Sequence, residues 1–426
     1  MNYALGRLIE TRQGRKRAVV LWMGIGLNLA GLAAFKYVAF TNFLFRVGDP
    51  LLQFLGMPAV ALKLLPPLGI SFFTFKAISY LVDVHRKDVP AERDLLVFAT
   101  YVAMFPQILA GPIARYADCH GEMKTRKVKL STFRLGAECF VIGLAQKMLI
   151  ANTLAAPVNA AFSAAAPELT TSLAWIGAVC YTLQIYFDFA GYTNMAIGLG
   201  HMMGFKFPPN FNYPYAAQSI TEFWQRWHIT LSTWLRDYLW FPLGANRKGT
   251  IRTTANLLLV FGICGIWHGA AYTFLVWGLF HGLLLAAERA GFLSLLSRFG
   301  RPLRTAYAVT MVMIGWVLFR ADSLSAAGTF LSAMAGLNPA WSGGAAPPRL
   351  SPLRFLSPDA VLALTFGVLF AFPWSVESLW RKMGVRDPRL PLVLRVASAP
   401  ALLIIFVVAL MAIAAGSHNP FLYFRF

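Results

Sequence analysis

Apolar runs of about twenty residues recur along this chain, and they leave it few folds to choose from. A hydrocarbon core of roughly 30 Å is crossed by about 20 mostly apolar residues in a helix, and inside it every backbone polar group must be satisfied within the protein. Windows of this kind run from Ala18 to Phe45, Pro67 to Val84, Phe133 to Val158, Leu173 to Phe205, Leu303 to Phe319, Val361 to Phe372 with its continuation, and Val396 to Ala415. The stretch Ala255 to Glu288 holds two more, with a turn near Gly269. The expectation is an all-α integral membrane protein with about nine transmembrane helices. No segment of soluble-domain size interrupts the windows and no internal repeat is visible, so residues 1–426 read as a single membrane domain. Asn338 to Pro358, rich in Pro, Gly, Ser and Ala, reads as an irregular loop between spans.

Only 13% of residues are charged, against about a quarter in soluble proteins, yet the formal net charge is +20. That excess does not point to nucleic acid, because the basic residues sit in short connections: Arg12 to Arg17, Arg86-Lys87, Lys124 to Lys129, Arg247-Lys248 and Arg381 to Arg395. Such a distribution fixes the orientation of spans, with basic loops inside. It leaves a parity problem at Leu95 to Arg115, which is flanked by basic loops at both ends. The breaks at Phe105-Pro106 and Ala110-Gly111-Pro112 resolve it if this segment enters and returns on one side, which is tolerated where backbone is buried in protein. The C-terminal tail then lies outside. The first apolar run is too long for a cleavable leader and reads as a retained signal anchor.

Four cysteines (Cys119, Cys139, Cys180, Cys264) are scattered without CxxC spacing, which supports neither a disulfide framework nor a zinc site. Neither HxxxH nor an Asp/Glu cluster is present, so no metal centre is expected. Ser219 to Phe241 stands apart. It opens with Ser219-Ile220-Thr221-Glu222, a capping-box pattern, has Glu222 and Arg226 at i,i+4 spacing, and carries Trp224, Trp227, Trp234 and Trp240. It reads as a helix lying at the membrane interface or dipping into the protein.

An ionisable side chain at membrane depth is costly unless it faces a protein interior or a water-filled path. His268, in Gly265-Ile266-Trp267-His268-Gly269, is either a general base or a histidine bonded to a backbone carbonyl at a helix turn. His228 either lines a path toward His268 or is a polar residue of an amphipathic helix at headgroup level. His281 lies thirteen residues beyond His268, too far to share a local site on one helix. Asp188, in Ile185-Tyr186-Phe187-Asp188-Phe189-Ala190-Gly191-Tyr192, either lines a polar tunnel or is the buried partner of an arginine or tyrosine holding helices together. Gly191, Gly198 and Gly200 serve close helix packing.

The ordered motifs resemble those of the membrane-bound O-acyltransferases, in particular the bacterial branch of the alginate O-acetyltransferase membrane subunit. The resemblance runs from Asn2-Tyr3 to Phe426. It is carried by Leu65 to Phe72, Phe105-Pro106 with Ala110-Gly111-Pro112, Tyr186 to Tyr192, Ser219 to His228, Ser232 to Tyr238, Asn246 to Gly249, Trp267-His268-Gly269, and Asn419 to Phe426. It implies re-entrant and interfacial helices around a central tunnel, with His268 catalytic, His228 lining the same tunnel, and Asp188, Trp267, Trp227 and Glu222 as its walls or supports. It also implies an acyl donor taken from the cytoplasm, acetyl-CoA with no bound cofactor, and an acetyl group passed outward to a cell-surface polysaccharide such as alginate. A periplasmic partner of the SGNH-hydrolase type and a bacterial inner-membrane location belong to the same expectation.

By charge and location Arg236, Arg247 and Lys248 are the expected contacts of the donor's phosphates, the alternative being loop charge that only fixes topology. Tyr423, in the outward tail, is a candidate transient acyl acceptor, with aromatic packing as the alternative. Two departures from the family stand out: helices that usually precede the match to Asn2-Tyr3 are expected to be missing here, and Asn194 replaces a common aspartate.

Overall fold

The computed structural model describes residues 1–36, 67–245, 247, 249–338, 355–373, 392–416 and 421–422, with backbone alone for 392–398. Among these, helices are the only regular elements. Six are long and apolar enough to cross a membrane: 14–36, 130–162, 171–202, 250–268, 272–296 and 301–320. The remaining apolar windows also form helices, and they account for the difference from nine. Ile70–Arg86 has 17 residues and is mostly buried in protein, Pro358–Ala371 has 14, and in Leu392–Ala414 side chains are described only from 399.

In chain order the elements are α1 (Asn2–Thr11), α2 (Gly14–Lys36), α3 (Ile70–Arg86), α4 (Leu95–Ala103), α5 (Phe105–Ile108), α6 (Tyr116–Thr125), α7 (Leu130–Ala145), α8 (Ala155–Phe162), α9 (Thr171–Met202), α10 (Ile220–Arg226), α11 (Ile229–Leu235), α12 (Thr250–His268), α13 (Tyr272–Ala287) and α14 (Arg301–Arg320). The last three are α15 (Leu324–Met334), α16 (Pro358–Ala371) and α17 (Leu392–Ala414).

Helix α9 is the centre of the molecule. Every residue from Cys180 to Gly191 is buried, as expected of a helix that is apolar on all sides. Its closest neighbour, α7, approaches through two reciprocal glycine pairs. A Cβ on Gly143 would lie 2.5 Å from the Gly191 carbonyl oxygen, and one on Gly136 would lie 2.5 Å from that of Gly198. Small residues let backbones meet where no water drives helices together. Beside this seam the Lys147 ammonium pairs with Asp188, so the buried aspartate has a lysine partner rather than the expected arginine or tyrosine.

Segment 95–115 is broken into short helices. Asp94 caps α4, its Oδ1 accepting the N–H groups of Leu96 (2.8 Å) and Val97 (3.3 Å). The chain then breaks at Met104, and α5 lasts four residues. Both helices are far shorter than a span, in keeping with a segment that enters and returns. Later in the same segment, the Ile113 N–H is satisfied inside the protein by Thr230 Oγ1 at 3.0 Å.

Helices α12 and α13 form an antiparallel hairpin turning at 269–271. Gly265 sits against the Phe274 carbonyl and Gly278 against that of Phe261, so neither position has room for a side chain. The start of α12 with the turn before it, and the stretch from the end of α13 to the start of α14, therefore share one end of the bundle, with Arg247, Arg252, Arg289, Arg298 and Arg301. His268 lies at the opposite end of α12.

Candidate active site

The Trp-rich segment is not one helix. Ser219 caps α10, its hydroxyl accepting the Glu222 N–H at 3.0 Å, while the Glu222 carboxylate takes the Gln218 N–H (2.8 Å) instead of returning to Ser219. Its other oxygen pairs with Arg226 at 2.8 Å, the i,i+4 contact expected from the spacing. The helix ends at Trp227, whose backbone is extended, and His228 takes φ +43°, the left-handed region that an L-residue with a large side chain rarely adopts. Such a conformation costs on the order of 1–3 kcal/mol and persists only where its surroundings impose it. They do so here. The 210–212 loop accepts Ile229 N–H on the Asn210 carbonyl (2.9 Å) and donates Asn212 N–H to the Arg226 carbonyl (2.9 Å), bridging the break from both sides.

His228 is therefore not a headgroup-level residue of an amphipathic helix: it is 1% exposed. Its ring meets Phe189 of α9 edge-on at 4.7 Å, and Nδ1 lies 3.0 Å from Asn210 Oδ1. His268, at the end of α12, is 6% exposed and sits among Trp267 (4.8 Å between ring centroids), Trp277 (5.1 Å) and Phe319 (5.2 Å). It lies within electrostatic reach of His228 and of Lys36, whose ammonium donates to the Trp267 carbonyl. The two histidines are joined by aromatic contacts: Trp227 packs on Trp316 at 4.8 Å, and Trp316 meets Trp277 and Phe319, both of which touch His268. Trp267 stacks on Phe75 at 5.0 Å. Structure thus gathers His228, His268, Trp227 and Trp267 into one buried cluster.

Six other expected residues lie apart from that cluster or outside the described residues. Both oxygens of Asp188 are occupied, one by Lys147 and the other by the Leu422 N–H at 2.9 Å. Glu222 is about a quarter exposed and ion-paired, so it supports α10 from outside. Arg236 binds Asp237 at 2.7 Å, and Arg247 lies in the turn that precedes α12. Lys248 and Tyr423 are outside the described residues. Asn194 donates to Gln146 Oε1 at 2.8 Å, an inter-helix bond and not a carboxylate contact.

A cavity of about 780 Å³ runs beside α11 and the α12–α13 hairpin. Its lining begins with Arg236, Arg289 and Leu293 at the basic end of the bundle and continues to Val260 and Cys264. Cys264 is one turn before His268 on α12, about 6 Å along the axis. Trp224 forms part of the wall and also touches Trp277 and His281. A smaller crevice of about 510 Å³ at the same end is lined by Arg86, Arg115, Asp237 and Tyr238. Burial there pushes the Asp237 carboxyl up, but hydrogen bonds from Arg236 and Arg115 outweigh it and hold it below the usual range.

Glu288, which the sequence reading passed over, and His281, which it set aside as too far from His268 along one helix, both matter here. Glu288 is buried at the end of the cavity, and its carboxylate accepts Ile220 N–H (2.6 Å), Thr221 N–H (2.9 Å) and Thr221 Oγ1–H (2.7 Å). It caps the helix that leads to His228. His281, which like His268 packs against Trp277, is fully buried and has no hydrogen bond to either ring nitrogen among the described residues. Glycines at 278 and 282 and the break at Gly269 were the available signals that His268 and His281 sit on facing helices. Among the described residues no three His, Cys, Asp or Glu side chains converge as a metal site would require. What the cluster offers is buried imidazoles in an apolar chamber, a setting for proton transfer.

The family model for membrane-bound O-acyltransferases matches residues 68–322. The chain is 39% identical to a probable alginate O-acetylase AlgI of Pseudomonas putida, with all of this chain and 88% of that protein aligned. A probable alginate O-acetylase AlgI of Pseudomonas aeruginosa is also 39% identical, over all of this chain and 89% of its own length. A peptidoglycan O-acetyltransferase of Helicobacter pylori is 37% identical over 75% of this chain and 65% of that protein.

Proposed function

This chain belongs to the membrane-bound O-acyltransferase family, and from that premise we propose that it moves acetyl groups from acetyl-CoA at the basic, cytoplasmic face toward a cell-surface polysaccharide outside. It is a multi-pass membrane O-acyltransferase; the donor, the direction and the acceptor are what the proposal adds. The observation that carries it is the cavity that starts among arginines at the basic end and stops one helical turn from His268. A thioester whose phosphates rest on Arg236 and Arg289 could extend its acyl end along that cavity. Arg247 and Lys248 extend the basic rim in sequence. Basic loops favour the cytoplasmic side of a bacterial inner membrane, which is where coenzyme A is available.

In the reaction His268 takes the proton of an attacking hydroxyl as its oxygen bonds to the thioester carbonyl carbon. The carbon–sulfur bond then breaks, and coenzyme A leaves as a thiolate that receives the same proton from His268. Positioned proton transfer of this kind is worth about 10² to 10⁴ in rate. His228 lies beside the same chamber, and Trp227, Trp267 and Trp277 exclude water from it. The neutral imidazole is the form that accepts a proton. The final acceptor is alginate or a related exopolysaccharide, reached through a periplasmic SGNH-type transferase. Tyr423 in the C-terminal tail is the proposed point of hand-over.

Similarity to a peptidoglycan O-acetyltransferase favours one second reading, in which the acceptor is the cell wall. One experiment separates the two and tests both. A deletion strain carrying the wild type, His268→Ala or nothing is scored for ester-linked acetate on purified exopolysaccharide and purified peptidoglycan. The glycan that loses acetate with His268→Ala is the acceptor. Equal ester content in all three strains on both glycans overturns the acyltransferase reading.

A further inference from the structure

The hydrogen bonds around His228 determine which of its nitrogens carries the proton. Asn210 is 1% exposed, and its Oδ1 is 3.2 Å from the Thr230 backbone nitrogen. A backbone N–H can only donate, so the side-chain atom facing it is the amide oxygen and not the amide nitrogen. Thr230 Oγ1 lies 2.8 Å from the same oxygen and itself accepts the Ile113 N–H at 3.0 Å. Its hydroxyl hydrogen therefore points to Asn210, and the amide nitrogen turns to Thr193 Oγ1 at 3.4 Å. Two backbone donors, one from the returning segment after α5 and one from α11, thus pin the orientation of the whole network. His228 Nδ1 is 3.0 Å from an oxygen that has no hydrogen to give, so Nδ1 must be the donor. Nε2 is buried and has no hydrogen-bond partner among the described residues.

We infer that Asn210 is a positioning residue that holds His228 as the Nδ1–H tautomer, so that His228 enters the reaction with its Nε2 lone pair free. In that state it accepts a proton at Nε2 and has none to give there. The bond made by one ring nitrogen fixes the role of the other. The left-handed backbone at His228 serves the same end: a loop that bonds Ile229 and Thr230 also places Asn210 on the ring, so strain and orientation have one source. The inference rests on the proposed acyl transfer only for the use made of that lone pair, and the tautomer itself follows from geometry.

His228 faces Phe189 of α9, Asn210 of the 210–212 loop and Thr230 of α11, and the titratable group within its electrostatic reach is His268 on α12, which in turn is reached by Lys36 on α2. Solid-state NMR of the full chain in bilayers with ¹⁵N-labelled histidine reads the tautomer directly, with the His228 signals identified by their loss in His228→Gln. The expected result is a protonated Nδ1 and a bare Nε2. Asn210→Asp keeps the acceptor oxygen and the Thr230 bonds while placing a negative charge beside Nδ1–H, which favours the imidazolium. The acidic limb of thioester cleavage against pH should then move to higher pH in Asn210→Asp, and kcat should fall below that limb while KM stays near the wild-type value. A residue that only stabilised the fold would lower the amount of active protein without moving the limb. A protonated Nε2 in the wild type, or an unmoved limb in active Asn210→Asp, overturns the inference. Absence of thioester cleavage in the wild type would instead count against acyl transfer, and the NMR result would still decide the tautomer.

Discussion

Removing the Glu288 carboxylate should damage the site more than its distance from the histidines suggests. The carboxylate accepts three hydrogen bonds of 2.6, 2.9 and 2.7 Å from Ile220 and Thr221, and the Tyr307 hydroxyl lies 3.3 Å away. Two of those donors are backbone N–H groups at the start of α10, where a helix has no internal partners for them. Glu288→Ala leaves both without that acceptor in a 2%-exposed position, at about 1–3 kcal/mol each, and also removes a negative charge from a helix N-terminus, worth up to ~2 kcal/mol when partly buried. Relief from holding a charge in a buried place offsets part of this, leaving a net loss of roughly 3 kcal/mol. Glu288→Gln keeps one acceptor but turns an amide N–H toward a backbone donor, for about half that loss. Thr221→Val removes only the hydroxyl bond, about 1 kcal/mol. The assay is the thermal unfolding midpoint of purified protein in detergent, with thioester cleavage measured on the folded fraction. The midpoints should fall in the order Thr221→Val, Glu288→Gln, Glu288→Ala. Since α10 runs directly into His228, the folded fraction of Glu288→Ala should also lose activity. Equal midpoints for Glu288→Ala and the wild type would refute the capping argument.

At the α7–α9 seam, Gly143→Val places its Cβ 2.5 Å from a backbone carbonyl that cannot yield, so folded protein recovered from membranes should drop severely. Gly26→Ala on α2 meets nothing within 4 Å and should be neutral or gain up to ~1 kcal/mol from helix propensity; equal recovery of the two variants would show that the seam is not close-packed. Glu92, in the loop before α4, gives a pH signature. Burial pushes its carboxyl up, but bonds from Tyr116, the Asp94 N–H, Lys124 and the Arg93 N–H prevail and hold it at about 2, below the ordinary 4.5. A carboxyl depressed by folding stabilises above its unfolded value and loses that contribution as pH falls, so wild-type stability should decline between pH 4.5 and about 2. Glu92→Gln should be less stable at neutral pH and flatter across that window in thermal unfolding; an equally steep decline in the variant would assign the effect to other groups.

The parts of this molecule that were legible in the sequence are those set by local pattern. Continuous apolar runs became helices, the basic connections gathered at the open end of the hairpin, Gly269 marked the turn, and the prolines between Phe105 and Pro112 marked a segment broken into short helices. The i,i+4 pair Glu222–Arg226 and the Ser219 cap were also local, and both formed. Wherever a long-range contact decides the outcome, local pattern misleads. A good capping box followed by amphipathic spacing reads as one helix through His228, because nothing in 219–241 itself records that the 210–212 loop will bond Arg226, Ile229 and Thr230 and break it. Lys147 falls inside the apolar window Phe133 to Val158, and its pairing with Asp188 beside the α7–α9 seam explains why the membrane interior tolerates it.

Glu288 and Asn210 carry this argument to the site itself. Each was invisible because its role is to satisfy backbone N–H groups of another segment: Glu288 those of Ile220 and Thr221, Asn210 that of Thr230. Between those two anchors lie α10, the strained His228 and the start of α11, so the segment is held at both ends by side chains 68 and 20 residues away in sequence. Water is scarce at this depth, and a broken helix must find partners for every freed backbone group within the protein. A histidine can be presented at a helix break here only because the break is paid for by such anchors. The two positions should therefore behave alike under mutation: substitutions that keep an acceptor oxygen preserve the fold, and those that remove it lose His228 together with the helix that carries it.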